Sequence, residues 1–180
     1  MDYTPGIFDI EYKAIEGNPD VKVWNNVHSS QCRVNTTLAK QIALWVVLYS
    51  PLQMASDLVE NYEGHPAFQF FRDFDADCDE SRALQGEIGE YVSIVRRAGD
   101  RFFLGAITGD EGRTLPQPLD FLAPGVSYQA TIYADAYDAH WESNPYAYII
   151  EKRTVTSADT LTLWLAPGGG AAVSFIPSLQ

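Results

Sequence analysis

The chain has 180 residues, 46% of them hydrophobic and 13% aromatic, which is enough for the core of one ordinary domain or two small ones and excludes a disordered tail. Its formal net charge of -12 excludes nucleic acid as a partner, because phosphate binding needs clusters of Lys and Arg. Cys32 and Cys78 form no CxxC pair, so they predict neither a disulfide framework nor a zinc finger. The most apolar stretch, residues 42–48, is too short to span a membrane.

The first part of the sequence alternates between strand and helix patterns. Residues 2–8 are typical of the end of a buried strand, and a polar, turn-rich stretch over 17–33 is longer than an ordinary connection. A helix is predicted from Leu38 to Tyr49 behind a cap at 35–37, because its apolar residues recur at helical spacing. A second strand at 51–57 and a helix at 66–74 follow. This order is typical of an α/β fold.

In the second part of the sequence, apolar and polar residues alternate with a period of two, and Gly and Pro turns interrupt this alternation. The number and spacing of its apolar runs predict a small antiparallel β-sandwich. We place the domain boundary so that 1–78 form the α/β part and 79–180 the sandwich, which makes the fold class α/β followed by all-β. The predicted strands are 91–95, 102–108, 118–122, 128–133, 146–156, 160–165 and 171–176.

Several short motifs recur in the order found in one enzyme family. They are MDYTPGIF at 1–8, TTLAKQ at 36–41, SPLQMASD at 50–57, GEIGEYV at 86–92, LGAIT at 104–108, AHWESNPY at 139–146 and APGGG at 166–170. With these motifs the chain resembles the C-terminal part of glycoside hydrolase family 97, of the α-glucosidase and α-galactosidase type. The resemblance implies that the chain is a fragment in which Met1 is an interior residue, and that 1–78 are the last quarter of a (β/α)8 catalytic barrel.

The resemblance also implies a function for the full-length protein. It would be an exo-acting α-glycosidase that binds oligosaccharides and hydrolyses α-glucosides or α-galactosides, and the fragment itself would be inactive. No catalytic residue is assigned in this chain, because the family's catalytic carboxylates lie upstream, together with the residues that could hold calcium. No cofactor is expected in the fragment. A periplasmic or secreted bacterial location, with a signal peptide outside the fragment, and homo-oligomers formed through the C-terminal domain are further implications. The alternative is a free-standing β-sandwich module that binds carbohydrate or protein.

Three residues are candidates for substrate binding. Asp2 and Tyr3 lie at the predicted end of one barrel strand and Asp57 at the end of the other, on the side where barrel enzymes bind substrate. Each also has a structural interpretation: Asp2 could cap a loop, Tyr3 could pack sideways, and Asp57 could accept backbone N–H bonds in the next turn.

Other polar motifs give no site. The acidic run at 75–80 starts like an EF-hand loop, but it has Glu80 where that loop needs glycine and Gly86 where it needs glutamate. His28, His65 and His140 lack metal-ligand spacing, so no metal site is predicted. Trp141 could stack on a sugar, but a single loop aromatic more often anchors packing.

Overall fold

The computed structural model describes residues 4–11 and 34–178. Three helices come first: α1 (Leu38–Val47), α2 (Val59–Tyr62) and α3 (Phe68–Asp73). Eight strands follow: β1 (Glu80–Glu87), β2 (Tyr91–Ala98), β3 (Arg101–Thr108), β4 (Arg113–Pro118), β5 (Tyr128–Asp135), β6 (Tyr148–Val155), β7 (Thr160–Leu165) and β8 (Gly170–Pro177). None of the helices in these residues is long and apolar enough to cross a bilayer.

Helix α1 forms where the sequence predicts it. Thr37 is the N-cap, and its hydroxyl accepts a hydrogen bond of 3.2 Å from the N–H of Lys40. The helix ends at Val47, four residues before Pro51, and eight of its ten residues are buried. An α-helix buried on so many sides needs packing partners around it, and the β domain supplies one of them.

The strands form two antiparallel sheets. The larger has the order β1-β2-β3-β8-β5-β6, and the smaller pairs β4 with β7. The sequence analysis predicted neither β1 nor β4, because β1 is polar and Pro116 lies within β4. The predicted strand at 118–122 is wrong beyond Pro118, because residues 119–122 turn between β4 and β5. The prediction of an antiparallel β domain is confirmed.

Two cores lie on opposite faces of the six-stranded sheet. Alternate residues of β3 show the division: Phe102 and Leu104 pack towards the small sheet, and Phe103 packs towards the helices. Gly105 lets α1 approach β3 closely, since a Cβ there would lie 2.6 Å from the carbonyl oxygen of Ala43. The sheet therefore separates a β core from a helix core.

The two predicted barrel strands are not strands in the described residues. Residues 51–57 follow α1 as an irregular segment, and residues 4–10 run across the helices without joining either sheet. A strand needs a neighbour to complete its backbone hydrogen bonds, and neither sheet provides one to these segments. In this structure they are held by side chains instead.

Candidate functional site

Asp57 lies at the centre of a hydrogen-bond network that joins the N-terminal segment to α2. Its Oδ2 accepts from the N–H groups of Phe8 and Asp9, each at 2.7 Å. Its Oδ1 accepts from the N–H of Leu58 at 2.8 Å and from Nδ2 of Asn61 at 2.7 Å. Partial burial favours a higher pKa for Asp57, but these hydrogen bonds dominate and lower its pKa below the ordinary value. The carboxylate is therefore ionised and held in one orientation.

The N-terminal segment is also fixed to the helices by neutral groups. The hydroxyl of Tyr62 donates to the carbonyl of Gly6 at 2.7 Å, and the Gln41 side chain accepts from the N–H of Gly6 at 3.0 Å. The indole of Trp45 donates to the carbonyl of Pro5 at 3.1 Å. The chain leading back towards Asp2 and Tyr3 is thus anchored on α1.

Of the three predicted substrate-binding residues, only Asp57 is described. Asp2 and Tyr3 lie outside the described residues, so their contact with sugar stays a prediction. Of the four hydrogen bonds that Asp57 accepts, only the one from the N–H of Leu58 matches the structural interpretation, in which Asp57 accepts backbone N–H bonds in the next turn. The N–H groups of Phe8 and Asp9 belong to the N-terminal segment, and the fourth donor is a side chain. Sugar binding by Asp57 also stays a prediction, and it can be separated from the structural role by mutation.

Replacing Asp57 with alanine is expected to destabilise the chain by about 2–3 kcal/mol, because charge-assisted hydrogen bonds to three backbone N–H groups and Asn61 are lost. Urea unfolding would measure this loss. Since the folded-state pKa of Asp57 is lowered, its contribution exists above the ordinary carboxyl pKa and is lost as pH falls through the lowered value. The difference from wild type should therefore shrink in acid.

Asp9→Ala is the matched control, because Asp9 contributes only its backbone N–H to the network and its own carboxylate is exposed. It should leave the unfolding midpoint nearly unchanged. A full-length enzyme in which Asp57→Asn lowers kcat/KM without lowering stability would instead assign Asp57 to substrate contact.

Residues 49–59 expose a cluster of large apolar side chains, which we call the apolar strip. Eleven large hydrophobic residues are exposed in the described part of the chain, and five of them lie here, between 51% and 71% exposed. A concentration of exposed apolar side chains is typical of an interaction surface. The strip consists of Tyr49, Leu52, Met54, Leu58 and Val59.

Three carboxylates of the acidic run at 75–80 form ion pairs with arginines of the sheet. Asp75 pairs with Arg101 at 2.9 Å, while Asp79 lies 3.3 Å and Glu80 3.4 Å from Arg97. Across residues 4–11 and 34–178, no three His, Cys, Asp or Glu side chains gather as a metal site would require. These carboxylates fasten the start of β1 to its neighbours.

His65, His140 and Trp141 contact backbone groups of the chain. Nδ1 of His65 accepts from the N–H of Ala67 at 3.2 Å, and burial lowers the pKa of His65. Nδ1 of His140 accepts a backbone N–H at 3.1 Å. Trp141 packs on Gly168, where a Cβ would lie 2.6 Å from the Cβ of Trp141. His28 lies outside the described residues.

A buried carboxylate that the sequence analysis did not single out lies at the end of β5. Asp135 is only 2% exposed, and its Oδ2 accepts from the N–H groups of Ala166 at 2.8 Å and Gly170 at 2.7 Å. A Cβ on Gly169 would lie 1.9 Å from the same oxygen. The signal in the sequence was an aspartate closing an apolar strand, combined with a later Gly-Gly-Gly turn.

The same turn receives the N-terminus of α1. The N–H of Thr37 donates to the carbonyl of Gly168 at 3.3 Å, and the next N–H, of Leu38, donates to the carbonyl of Pro145 at 2.9 Å. Carbonyl groups of the β domain therefore satisfy N–H groups that a helix start leaves without partners. We call Asp135, residues 166–170 and the start of α1 the junction.

Burial raises the pKa of Asp135 to about 7, although the Thr37 side chain, the N–H groups of Ala166 and Gly170 and the charge of Lys40 act in the opposite direction. Burial also lowers the pKa of Lys40, whose Nζ donates to the carbonyl of Thr108 at 2.8 Å. Lys40 borders a surface depression of about 460 Å³. The junction thus holds an ionisable pair without the two carboxyl groups that sugar hydrolysis needs.

Comparison with known proteins identifies the β domain. The family model described as Glycosyl-hydrolase 97 C-terminal, oligomerisation, matches residues 77–176. A retaining alpha-galactosidase from Bacteroides thetaiotaomicron is 36% identical over 138 residues, which are 76% of this chain and 20% of that protein.

Solved structures extend the similarity to the helices. A glycoside hydrolase family 97 enzyme from Pseudoalteromonas sp. strain K8, solved in complex with panose and with acarbose, is 44% identical and superposes with a TM-score of 0.86. The match covers 99% of this chain and 26% of that one. The chain thus spans only about a quarter of the length of these relatives.

Proposed function

Because this chain belongs to glycoside hydrolase family 97, we propose that it serves as the C-terminal part of an exo-acting α-glycosidase. Its substrates would be α-glucosides or α-galactosides. Similarity supports both, since one relative is named an alpha-galactosidase and another was solved with panose. The catalytic carboxylates would lie in the remainder of the enzyme, together with any calcium ligands. Export to the periplasm or the medium also belongs to this proposal.

The observation that carries the proposal is the helix layer on the six-stranded sheet. Helix α1 and Phe70 of α3 are buried against β3 and β5, while the apolar strip beside them stays exposed. We propose that these helices are the last of a (β/α)8 barrel and that 51–57 form a barrel strand once neighbours are present. The rest of the barrel would then cover the apolar strip.

The β domain would brace this barrel and form contacts between subunits. The description of the matching family model as an oligomerisation domain supports the second role. A free-standing sugar-binding module would instead need a row of exposed aromatic residues on one sheet face. In the strands that the structure describes, the exposed large apolar side chains are Ile149, Ile150 and Ile176, none of them aromatic.

The proposal predicts a division of activity between the chain and the intact enzyme. Purified residues 1–180 should not hydrolyse nitrophenyl α-glucoside or α-galactoside, whereas the enzyme encoded by the complete gene should hydrolyse at least one. In that enzyme, Leu58→Ser with Val59→Ser should reduce stability by about 3 kcal/mol, since two covered apolar side chains lose their burial. Thermal unfolding and initial rates measure both effects.

Ile88→Ser is the matched control, because Ile88 is fully exposed on the β1–β2 turn and is not part of the apolar strip. It should change neither stability nor rate. Turnover by the 180-residue chain alone would contradict the proposed location of the catalytic carboxylates. An intact enzyme insensitive to the double substitution would contradict the covering of the apolar strip.

A further inference from the structure

The junction brings together four parts of the fold around one carboxyl group. The Asp135 carboxyl, at the end of β5, accepts hydrogen bonds from the N–H groups of Ala166 and Gly170, which lie at the two ends of the 166–170 turn. Carbonyl groups of this turn accept hydrogen bonds from the N–H of Thr37, at the start of α1, and from the N–H of Trp141, in the loop after β5. The N–H of Gly168 donates to the carbonyl of Gly109 at 2.7 Å. Asp135 therefore determines the position of the turn. Because the turn contacts the start of α1, Asp135 also determines how α1 is attached to the β domain.

Burial of this carboxyl outweighs the groups that stabilise its ionised form, which are the Thr37 side chain, two backbone N–H groups and the charge of Lys40. Asp135 is 2% exposed, so an ionised carboxylate there loses most of its hydration. Lys40 is the cation that acts on Asp135, but its Nζ donates to the carbonyl of Thr108 instead of forming an ion pair. A neutral carboxyl can still accept both backbone N–H groups. The buried site thus favours the protonated form.

We propose that Asp135 is a protonation-linked latch, which holds α1 and the 166–170 turn on the β domain most firmly when its carboxyl group is neutral. The charged groups around it are few. Lys40 faces it from α1, Asp110 in the β3–β4 loop acts on Lys40, and the turn contributes only backbone groups. This device goes beyond the proposed glycosidase function, since it controls attachment of the helix layer to the sheet.

The direction of the pH effect follows from linkage. The pKa of Asp135 is raised to about 7 in the folded chain, whereas the unfolded chain has the ordinary carboxyl value. The folded chain therefore binds a proton more tightly, and this contribution to stability is complete below the ordinary value. It decreases as pH rises towards about 7 and is then constant.

The experiment compares the 180-residue wild-type chain with Asp135→Asn between pH 4 and 8. Asparagine keeps an oxygen that accepts the two N–H groups and cannot ionise. Relative to this variant, the unfolding equilibrium constant of wild type should increase about tenfold per pH unit from pH 4 to nearly pH 7, because unfolding releases one proton there, and it should level off above pH 7. Protection of the α1 amides from hydrogen exchange should decrease over the same window, while that of β2 amides should change less.

Asp100→Asn, in the exposed β2–β3 turn, is the matched control and should keep the wild-type pH dependence. Lys40→Met should move the transition to higher pH, because it removes the cation that favours ionised Asp135. A carbon-13 titration of the Asp135 carboxyl in wild type gives a second measurement if a variant fails to fold. A midpoint below pH 5, or an Asp135→Asn chain with the wild-type slope, would overturn the proposal.

Discussion

Replacing Gly105 with leucine is expected to lift α1 from the six-stranded sheet and destabilise the chain by about 3 kcal/mol. A Cβ at this position would lie 2.6 Å from the Ala43 carbonyl oxygen and 2.8 Å from Cβ of Val46. The nearest obstacle is helix backbone, which cannot rotate away as a flexible side chain can, so the helix must move. Urea unfolding would measure the loss, and hydrogen exchange of the α1 amides would show where it occurs.

Ala83→Leu is the control for the added side chain. Ala83 is an exposed residue of β1, so leucine there meets solvent instead of a helix and should change stability by less than about 0.5 kcal/mol. Equal stability of Gly105→Leu and wild type would show that the close contact between α1 and β3 is not needed.

Phe70→Ala should have a similar or larger effect, a loss of about 3–5 kcal/mol, which is usual when a buried phenylalanine is removed. Phe70 is fully buried, and its ring centroid lies 5.5 Å from that of Tyr133 and 6.2 Å from that of Phe103. These contacts join α3 to two strands of the sheet. The unfolding midpoint in urea, followed by tryptophan fluorescence, measures the loss.

Phe68→Ala tests whether burial decides this effect. Phe68 lies on the same helix but is only partly buried, and the guanidinium of Arg72 lies 5.3 Å from its ring centroid. We expect a loss of no more than about 1.5 kcal/mol, because less apolar surface is removed from the core. Equal losses for Phe68 and Phe70 would contradict the assignment of Phe70 as the main contact between α3 and the sheet.

Elements with a strong local pattern were predictable from the sequence. Helix α1 has a capping Thr37 and an apolar stripe, and β7 has strict alternation over Thr160–Leu165, so the local residues suffice to define them. Strand β1 was missed because its outward side chains are polar, as befits a sheet edge. Strand β4 was missed because Pro116 lowers strand propensity, although Pro is tolerated in a strand with an open edge.

The sequence by itself determined the family, through motifs spread over most of the chain, and the presence of an antiparallel β domain in the second part. For the first part it predicted alternating strands and helices, of which the structure shows only the helices. It also identified Asp57 as a carboxylate with two interpretations. Only the tertiary structure showed that Asp57 accepts hydrogen bonds from backbone N–H groups 48 and 49 residues away. It also showed that Asp135 accepts hydrogen bonds from backbone N–H groups 31 and 35 residues away. Local patterns report propensity and burial, whereas the partners of a polar group, and hence its charge state, depend on contacts between segments that only folding brings together.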